Sequence, residues 1–213
     1  MYLREFCGST LTWRKTGGFI VRCNTTLAPV PAPGVFRQRT LAYTYYQNVV
    51  DSSYSFPWYN QSAWFLEIDW MALHGVNLAL AYTGQESIYR SVYQQLFNLS
   101  DATLGAFFGG PAYLSWSRGQ GLQGVGGPLP AWWYGQQQQL NQQNLARMRA
   151  LGITPILPAF QGNVPPALKQ LYPHANISKD DFLDALDPLF ARIADAYMKQ
   201  LIAVFGTDHF YEG

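Results

Sequence analysis

The sequence has few charges, few cysteines and no long apolar run. Only 13% of its 213 residues are charged, and 14 basic against 13 acidic residues leave a net charge of +1, whereas an average soluble domain has about 25% charged residues. No basic excess is available to neutralise nucleic-acid phosphates. No apolar run approaches the roughly 20 residues of a membrane-spanning helix, and the N-terminus lacks the apolar core of a signal peptide. We therefore expect no nucleic-acid partner and no membrane span.

Cysteine and histidine show no pattern of a metal site. Cys7 and Cys23 are too few for a disulfide framework, and although one bridge between them is conceivable, buried thiols are the favoured interpretation. The three histidines are scattered without metal-ligand spacing. Phosphate-binding loops and nucleophile elbows are also missing.

Aromatic residues are abundant, at 16% of the chain, and this excludes intrinsic disorder. The segment Pro29–Gly34 has proline at alternate positions and is typical of an extended linker. We therefore predict a domain boundary near residue 38, with residues 39–213 as the domain that follows the linker.

Four N-x-Ser/Thr triplets without proline suggest passage through the secretory pathway. Their asparagines are Asn24, Asn60, Asn98 and Asn176. These glycosylation candidates conflict with the missing signal peptide, unless a signal peptide lies upstream of Met1.

After the linker, predicted strands alternate with predicted helices. The strands are residues 42–50, 76–82, 153–160 and 208–211; the helices are residues 64–74, 84–97, 101–108, 136–151, 164–171 and 182–205. This alternation is typical of parallel βα units. It fits the first half of a (β/α)₈ barrel, and a doubly wound open sheet would give the same pattern.

In both folds, ligands bind at the carboxyl ends of the strands. Those ends offer Asn48, Gln85, Glu86 and Asn163, and the long loop that follows the second unit adds Trp116. Amides beside aromatic faces suit a sugar, which needs directional hydrogen bonds and a ring for its C–H face. Trp132 and Trp133 fit such a site or the core equally well.

The carboxylates do not form an evident catalytic pair. Glu67 and Asp69 are two apart on a predicted helix and cannot face one another. The carboxylates of Asp180, Asp181 and Asp184 are interpreted as stabilising a helix start, and Asp187 as a turn or cap. Glu86 has a suitable position, although capping the next helix is its favoured role. The residues by themselves predict a carbohydrate-binding half-barrel.

Long ordered blocks of the sequence resemble the α-N-acetylglucosaminidases of glycoside hydrolase family 89. They are Tyr2–Gly8 (YLREFCG), Tyr45–Val49 (YYQNV), Ser53–Phe56 (SYSF), Glu67–Ala81 (EIDWMALHGVNLALA), Gly84–Glu86 (GQE), Phe107–Ala112 (FFGGPA) with Trp116, Gly127–Pro130 (GPLP), Pro155–Phe160 (PILPAF) and Phe205–His209 (FGTDH). The resemblance implies a (β/α)₈ barrel preceded by a small α/β domain, of which residues 1–38 would be the end.

The resemblance also implies an activity, which is removal of terminal α-linked N-acetylglucosamine from glycans such as heparan sulfate, in lysosomes or after secretion, with retention and without a cofactor or metal. Asn48 and Trp116 match active-site residues of the family, and Gln85, Glu86 and Asn163 are further substrate-binding candidates. Val50 and Asn163 stand where human-type members have Cys and His.

The family acid/base is a Glu in an Asn-Glu pair just beyond the stretch that matches Thr207–His209, and its nucleophile comes later still. Glu212 is too early in this alignment to be the acid/base. We therefore expect the chain to be an inactive fragment without its catalytic carboxylates. The alternatives are a truncated gene model without a role of its own and a non-catalytic carbohydrate-binding module.

Overall fold

The computed structural model describes residues 5–9, 29–36, 38–114 and 124–212. Its centre is a sheet of four parallel strands, β1 (Tyr45–Tyr46), β2 (Leu78–Leu80), β3 (Thr154–Pro158) and β4 (Phe210–Glu212). Three residues singled out in the sequence, Cys23, Asn24 and Trp116, lie outside the described residues.

The strand order distinguishes the two folds that the sequence left open. The strands lie in the order β1-β2-β3-β4, so that each is next to its neighbours in the chain. A doubly wound sheet reverses its order at a switch point, whereas a (β/α)₈ barrel keeps it sequential. The predicted first half of a (β/α)₈ barrel is confirmed.

Helices connect the strands. They are α1 (Asp51–Tyr54), α2 (Gln61–Leu73), α3 (Gln85–Phe97), α4 (Asp101–Phe107), α5 (Ala131–Ala150), α6 (Ala167–Leu171) and α7 (Pro188–Phe205), with 3-10 turns at Phe56–Trp58 and Pro111–Tyr113. No helix in the described part of the chain is long and apolar enough to cross a membrane.

The two faces of the sheet differ in exposure because alternate strand residues point in opposite directions. Ala79 and Leu157 belong to the face that joins the helices in the hydrophobic core, and both are fully buried. Thr154 and Ile156 of the other face are partly exposed, and Phe210 is exposed. This second face is the barrel interior.

Predicted capping residues begin two of the helices. Ser100 accepts a hydrogen bond from the backbone N–H of Thr103 at 3.2 Å and starts α4, as the sequence predicted. Asp187 accepts one from Leu189 at 2.8 Å, and Pro188 follows at the first helical position. The α7 helix therefore begins at Pro188, and the predicted start at residue 182 is wrong.

The preceding aspartates consequently do not lie at a helix start. Asp181 forms an ion pair with Lys169 at 2.8 Å, and Asp184 accepts a hydrogen bond from Nδ2 of Asn176 at 2.7 Å. Their carboxylates fasten the loop that precedes α7, which corrects the helix-dipole interpretation.

Glu67 and Asp69 point to different elements, as their spacing on α2 predicts. Tyr46 of β1 donates a hydrogen bond to Glu67 Oε1 at 3.2 Å, whereas Arg147 of α5 forms an ion pair with Asp69 at 2.7 Å. Both carboxylates thus join α2 to neighbouring elements and do not form a catalytic pair.

Candidate active site

The carboxyl ends of the four strands bring polar side chains to one edge of the sheet. Gln47 and Asn48 follow β1, Tyr82 follows β2, Asn163 follows β3 and Glu212 ends β4. Among the described residues, no group of three or more histidine, cysteine, aspartate or glutamate side chains could hold a metal ion. The side chains at this edge carry amides, hydroxyls and carboxylates.

Tyr82 and Glu212 meet across the interior face of the sheet. The Tyr82 hydroxyl donates a hydrogen bond to Glu212 Oε2, and the Glu212 carbonyl accepts one from the backbone N–H of Ala159 at 2.6 Å. Burial and, to a smaller extent, the negative charge of Glu212 raise the pKa of Tyr45. The contact joins residues 130 positions apart in the chain, and it depends on the pairing of β2 with β3 and of β3 with β4.

Asn48 is exposed at the end of β1. Its Oδ1 accepts a hydrogen bond from the backbone N–H of Val50 at 3.1 Å, and its carbonyl accepts one from Asp51 at 3.2 Å. These bonds fix the turn that begins α1 and orient the side-chain amide. The Nδ2 group is the part of Asn48 that can donate a hydrogen bond to a ligand.

Gln85 and Glu86 lie in the first turn of α3 and are only 1% and 3% exposed. The crevice beside Glu86 has a volume of about 20 Å³, room for about one water molecule and far less than the roughly 300 Å³ of a small ligand pocket. Burial, followed by the charges of Glu86 and Asp101, raises the pKa of Tyr134 to about 12, against the opposing effect of Arg90. The negative charge of Glu86 therefore influences the titration of a tyrosine on α5.

Asn163 follows β3 in the chain, and its side chain is buried. Its carbonyl accepts a hydrogen bond from the hydroxyl of Tyr93, which lies on α3, and its backbone forms an antiparallel bridge with Phe182. Asn163 is thus held between α3 and the loop before α7. Of the four predicted site residues that the structure describes, Asn48 alone is exposed.

The two tryptophans that the sequence could not separate have different environments. Trp133 is buried in the core, whereas Trp132 is exposed. Consecutive helical residues point about 100° apart, and α5 begins at Ala131, five residues before the predicted start. The correct helix start would have shown that only one of the two indoles faces the core.

His209 precedes β4 and is buried beside Arg149 of α5. Its Nδ1 lies 3.5 Å from Arg149 Nη2, and since a guanidinium only donates, Nδ1 accepts. Arg149 also forms an ion pair with Asp208 at 2.7 Å. Burial and, next, the Arg149 charge lower the pKa of His209, and Asp208 partly opposes this shift.

We expect the free energy of unfolding to decrease as the pH falls below 6.5, the ordinary pKa of histidine. Unfolded His209 binds a proton near that pH, whereas the native protein binds it only at lower pH, so the unfolded state holds more protons in this window. Urea unfolding on either side of pH 6.5 measures the slope, and His209→Gln should reduce it. An unchanged slope in the variant would show that other groups cause the dependence.

A family model for the tim-barrel domain of alpha-N-acetylglucosaminidase matches residues 44–213 of this chain. The alpha-N-acetylglucosaminidase of Homo sapiens is 42% identical over 225 residues, which cover 99% of this chain and 29% of the human protein.

Solved structures of a family 89 glycoside hydrolase from Clostridium perfringens have the same fold. The complex with PUGNAc is 29% identical with a TM-score of 0.87, and a doubly substituted form with its substrate GlcNAc-alpha-1,4-galactose is 28% identical with a TM-score of 0.86. Each match covers 99% of this chain and 25% of the other chain. Because the family match spans all four strands, the chain belongs to the alpha-N-acetylglucosaminidase family, glycoside hydrolase family 89, as part of its TIM-barrel domain.

Proposed function

We propose that this chain forms the first part of the barrel of a retaining exo-α-N-acetylglucosaminidase, which removes terminal α-linked N-acetylglucosamine from glycans such as heparan sulfate. The observation that carries the proposal is the 42% identity to the human enzyme along the chain, which spans 29% of that enzyme's length. The uncharged amides at the strand ends support a neutral sugar as the ligand.

We assign sugar contacts to the strand-end side chains. The Nδ2 of exposed Asn48 donates to a sugar oxygen, and the indole of Trp116 supplies a stacking face. We place Gln85, Glu86 and Asn163 in the floor of the sugar site, because buried side chains suit that position. The Tyr82–Glu212 pair limits the site on the side of β4.

We assign neither carboxyl group of the retaining mechanism to this chain. Such enzymes need a nucleophile and an acid/base about 5–5.5 Å apart. Glu67 receives a hydrogen bond from Tyr46, Asp69 is paired with Arg147, and the crevice beside Glu86 admits about one water. The resemblance to the family supports this assignment, because it implies that both groups come after Gly213.

The test is hydrolysis of a chromogenic α-N-acetylglucosaminide by the protein expressed with all the sequence that its gene encodes. We expect turnover of the α-linked substrate, retention of configuration by NMR, and no turnover of the β-anomer. Residues 1–213 expressed alone should show none, because covalent glycoside chemistry needs a nucleophile. Turnover by residues 1–213 alone, or failure of the longer protein to cleave the α-linked sugar, would contradict the proposal.

Asn48→Ala in the longer protein should lower kcat/KM by about twofold to tenfold, since one hydrogen bond between neutral groups contributes about 0.5–1.5 kcal/mol. Asn48→Asp is the matched control, because its carboxylate still accepts from Val50 but no longer donates. Equal loss in both variants places the effect on the donor. Full activity in Asn48→Asp would instead assign Asn48 to the turn alone.

We also propose that the protein acts in the lysosome or after secretion. Asn60, Asn98 and Asn176 are all exposed, as glycosylation acceptors must be. Mapping of glycopeptides from the secreted protein tests this localisation.

We further propose a domain boundary near residue 38, with residues 1–38 as the end of an N-terminal α/β domain and the linker. The start of the family match at residue 44 supports this boundary.

A further inference from the structure

A groove of about 510 Å³ lies between the 3-10 turn Phe56–Trp58 and the first three turns of α5. Two exposed indoles line it, Trp58 and Trp132, which are 66% and 55% exposed. None of the predicted sugar-binding residues that the structure describes lines this groove, although it shares Pro57 and Gln137 with the crevice beside Glu86. Because both indoles line the same groove, they belong to one apolar patch, and such patches commonly mark binding sites.

The remaining lining is made of amides. Gln136, Gln139 and Gln143 follow one another at three- and four-residue spacing on α5, so their side chains share one face. No charged side chain is among the described residues of the lining. Indole faces with uncharged amide donors and acceptors are the groups that bind a neutral carbohydrate.

The groove also contains a carbohydrate acceptor. Asn60 is part of its wall, is exposed and begins the triplet Asn60-Gln61-Ser62. Its Oδ1 accepts a hydrogen bond from the backbone N–H of Ala63 at 3.0 Å and caps α2. Nδ2, the atom that carries an N-linked glycan, makes no hydrogen bond to the residues that the structure describes.

We propose that Asn60 carries an N-linked glycan and that the core sugars of this glycan occupy the groove, stacked on Trp58 or Trp132. In the modification, Nδ2 loses one proton and bonds to C1 of an oligosaccharide, while the C1–O bond to a lipid diphosphate donor breaks and the diphosphate leaves. The inference does not depend on the hydrolase activity.

Tethering explains why an open groove suffices to hold the sugars. An untethered sugar would lose translational freedom on binding, whereas a short flexible link gives an effective concentration in the millimolar range. An affinity of only about 1 mM then keeps the groove occupied for much of the time.

Another described acceptor has a different setting. The Nδ2 of Asn176 already donates to Asp184 at 2.7 Å, and its backbone N–H donates to Asp187 at 2.7 Å. No residue of the triplet 176–178 is part of the groove lining that contains the two indoles. The Asn176 triplet therefore provides a matched control within the same chain.

The experiment uses the protein with all the sequence that its gene encodes, secreted from a eukaryotic cell line. Glycopeptide mass spectrometry measures occupancy at Asn60, and brief hydroxyl-radical labelling measures the oxidation of Trp58 and Trp132. Ser62→Ala and Gln61→Pro each remove the acceptor signal, and the proline also suits the first helical position of α2. Ser62→Thr keeps the signal.

We expect an occupied Asn60 and about twofold greater oxidation of one or both indoles in Ser62→Ala and Gln61→Pro, because a stacked sugar covers one of the two ring faces. Ser62→Thr and Ser178→Ala, which removes the Asn176 acceptor, should match the parent protein. An unmodified Asn60 would overturn the proposal, and so would an occupied Asn60 whose removal leaves both indoles equally reactive.

Discussion

Replacing Gly84 with alanine is expected to destabilise the protein by about 2–5 kcal/mol, the sum of about 1–2 kcal/mol for a left-handed backbone and about 1–3 kcal/mol for overpacking. Gly84 has a φ of 77° at the start of α3. A Cβ there would lie 2.7 Å from the carbonyl oxygen of Gln137 and 2.9 Å from the backbone nitrogen of Gln138. Both neighbours are backbone atoms of α5, and they cannot rotate away.

Two other glycines distinguish the cost of the left-handed backbone from the cost of overpacking. Gly75 has a φ of 76° with no atom within 4 Å of an added Cβ, so Gly75→Ala should cost only the backbone term, about 1–2 kcal/mol. Gly135 lies within α5 with equally open surroundings, and Gly135→Ala should stabilise by about 0.5–1 kcal/mol. Urea unfolding of the three variants measures the order. Equal losses in Gly84→Ala and Gly75→Ala would contradict the close packing of α3 on α5.

The effect should extend to the candidate site because Gly84 directly precedes Gln85 and Glu86. A shift of α3 away from α5 would move both buried side chains from beneath the strand ends. In the longer protein, kcat/KM for an α-N-acetylglucosaminide should consequently decrease in Gly84→Ala and stay near the parent value in Gly135→Ala.

The alternation of strands and helices could be predicted from the sequence because its signals are local. Gly75 ends α2 with a positive φ, and the apolar run after it forms β2. The start of α7 also has a local signal, since Asp187 caps the helix and Pro188 takes its first position. The predicted start at residue 182 follows the apolar pattern instead, and that pattern continues into the loop before the helix.

The candidate site could be predicted only in outline. Parallel strands necessarily bring Asn48, Gln85 and Asn163 to one edge of the sheet, and the structure has them there. Their degree of burial depends on how α3 and the long loops pack, which the sequence pattern does not encode. The Tyr82–Glu212 contact spans 130 residues and depends on the register of three strands.

Tyr93 joins the core to this site, and its replacement by alanine should cost about 3–5 kcal/mol, the usual range for removing a buried aromatic ring. The side chain is fully buried and packs against Tyr89, Phe97 and Phe107 at ring-centroid distances of 6.0, 6.2 and 5.8 Å. Burial raises the pKa of Tyr93 well above its ordinary value, so its hydroxyl stays protonated and donates to the Asn163 carbonyl at 2.5 Å.

Tyr93→Phe separates the hydroxyl from the ring. It keeps the aromatic packing but leaves the Asn163 carbonyl without its donor, which should cost about 1–3 kcal/mol. Urea unfolding gives both losses, and the difference between the alanine and phenylalanine variants is the contribution of the ring. If Tyr93→Phe is as stable as the parent protein, the Asn163 loop does not depend on this bond. If it is less stable and kcat/KM also falls in the longer protein, Asn163 is positioned through Tyr93, since the hydroxyl itself is buried beneath the strand ends and cannot touch a sugar.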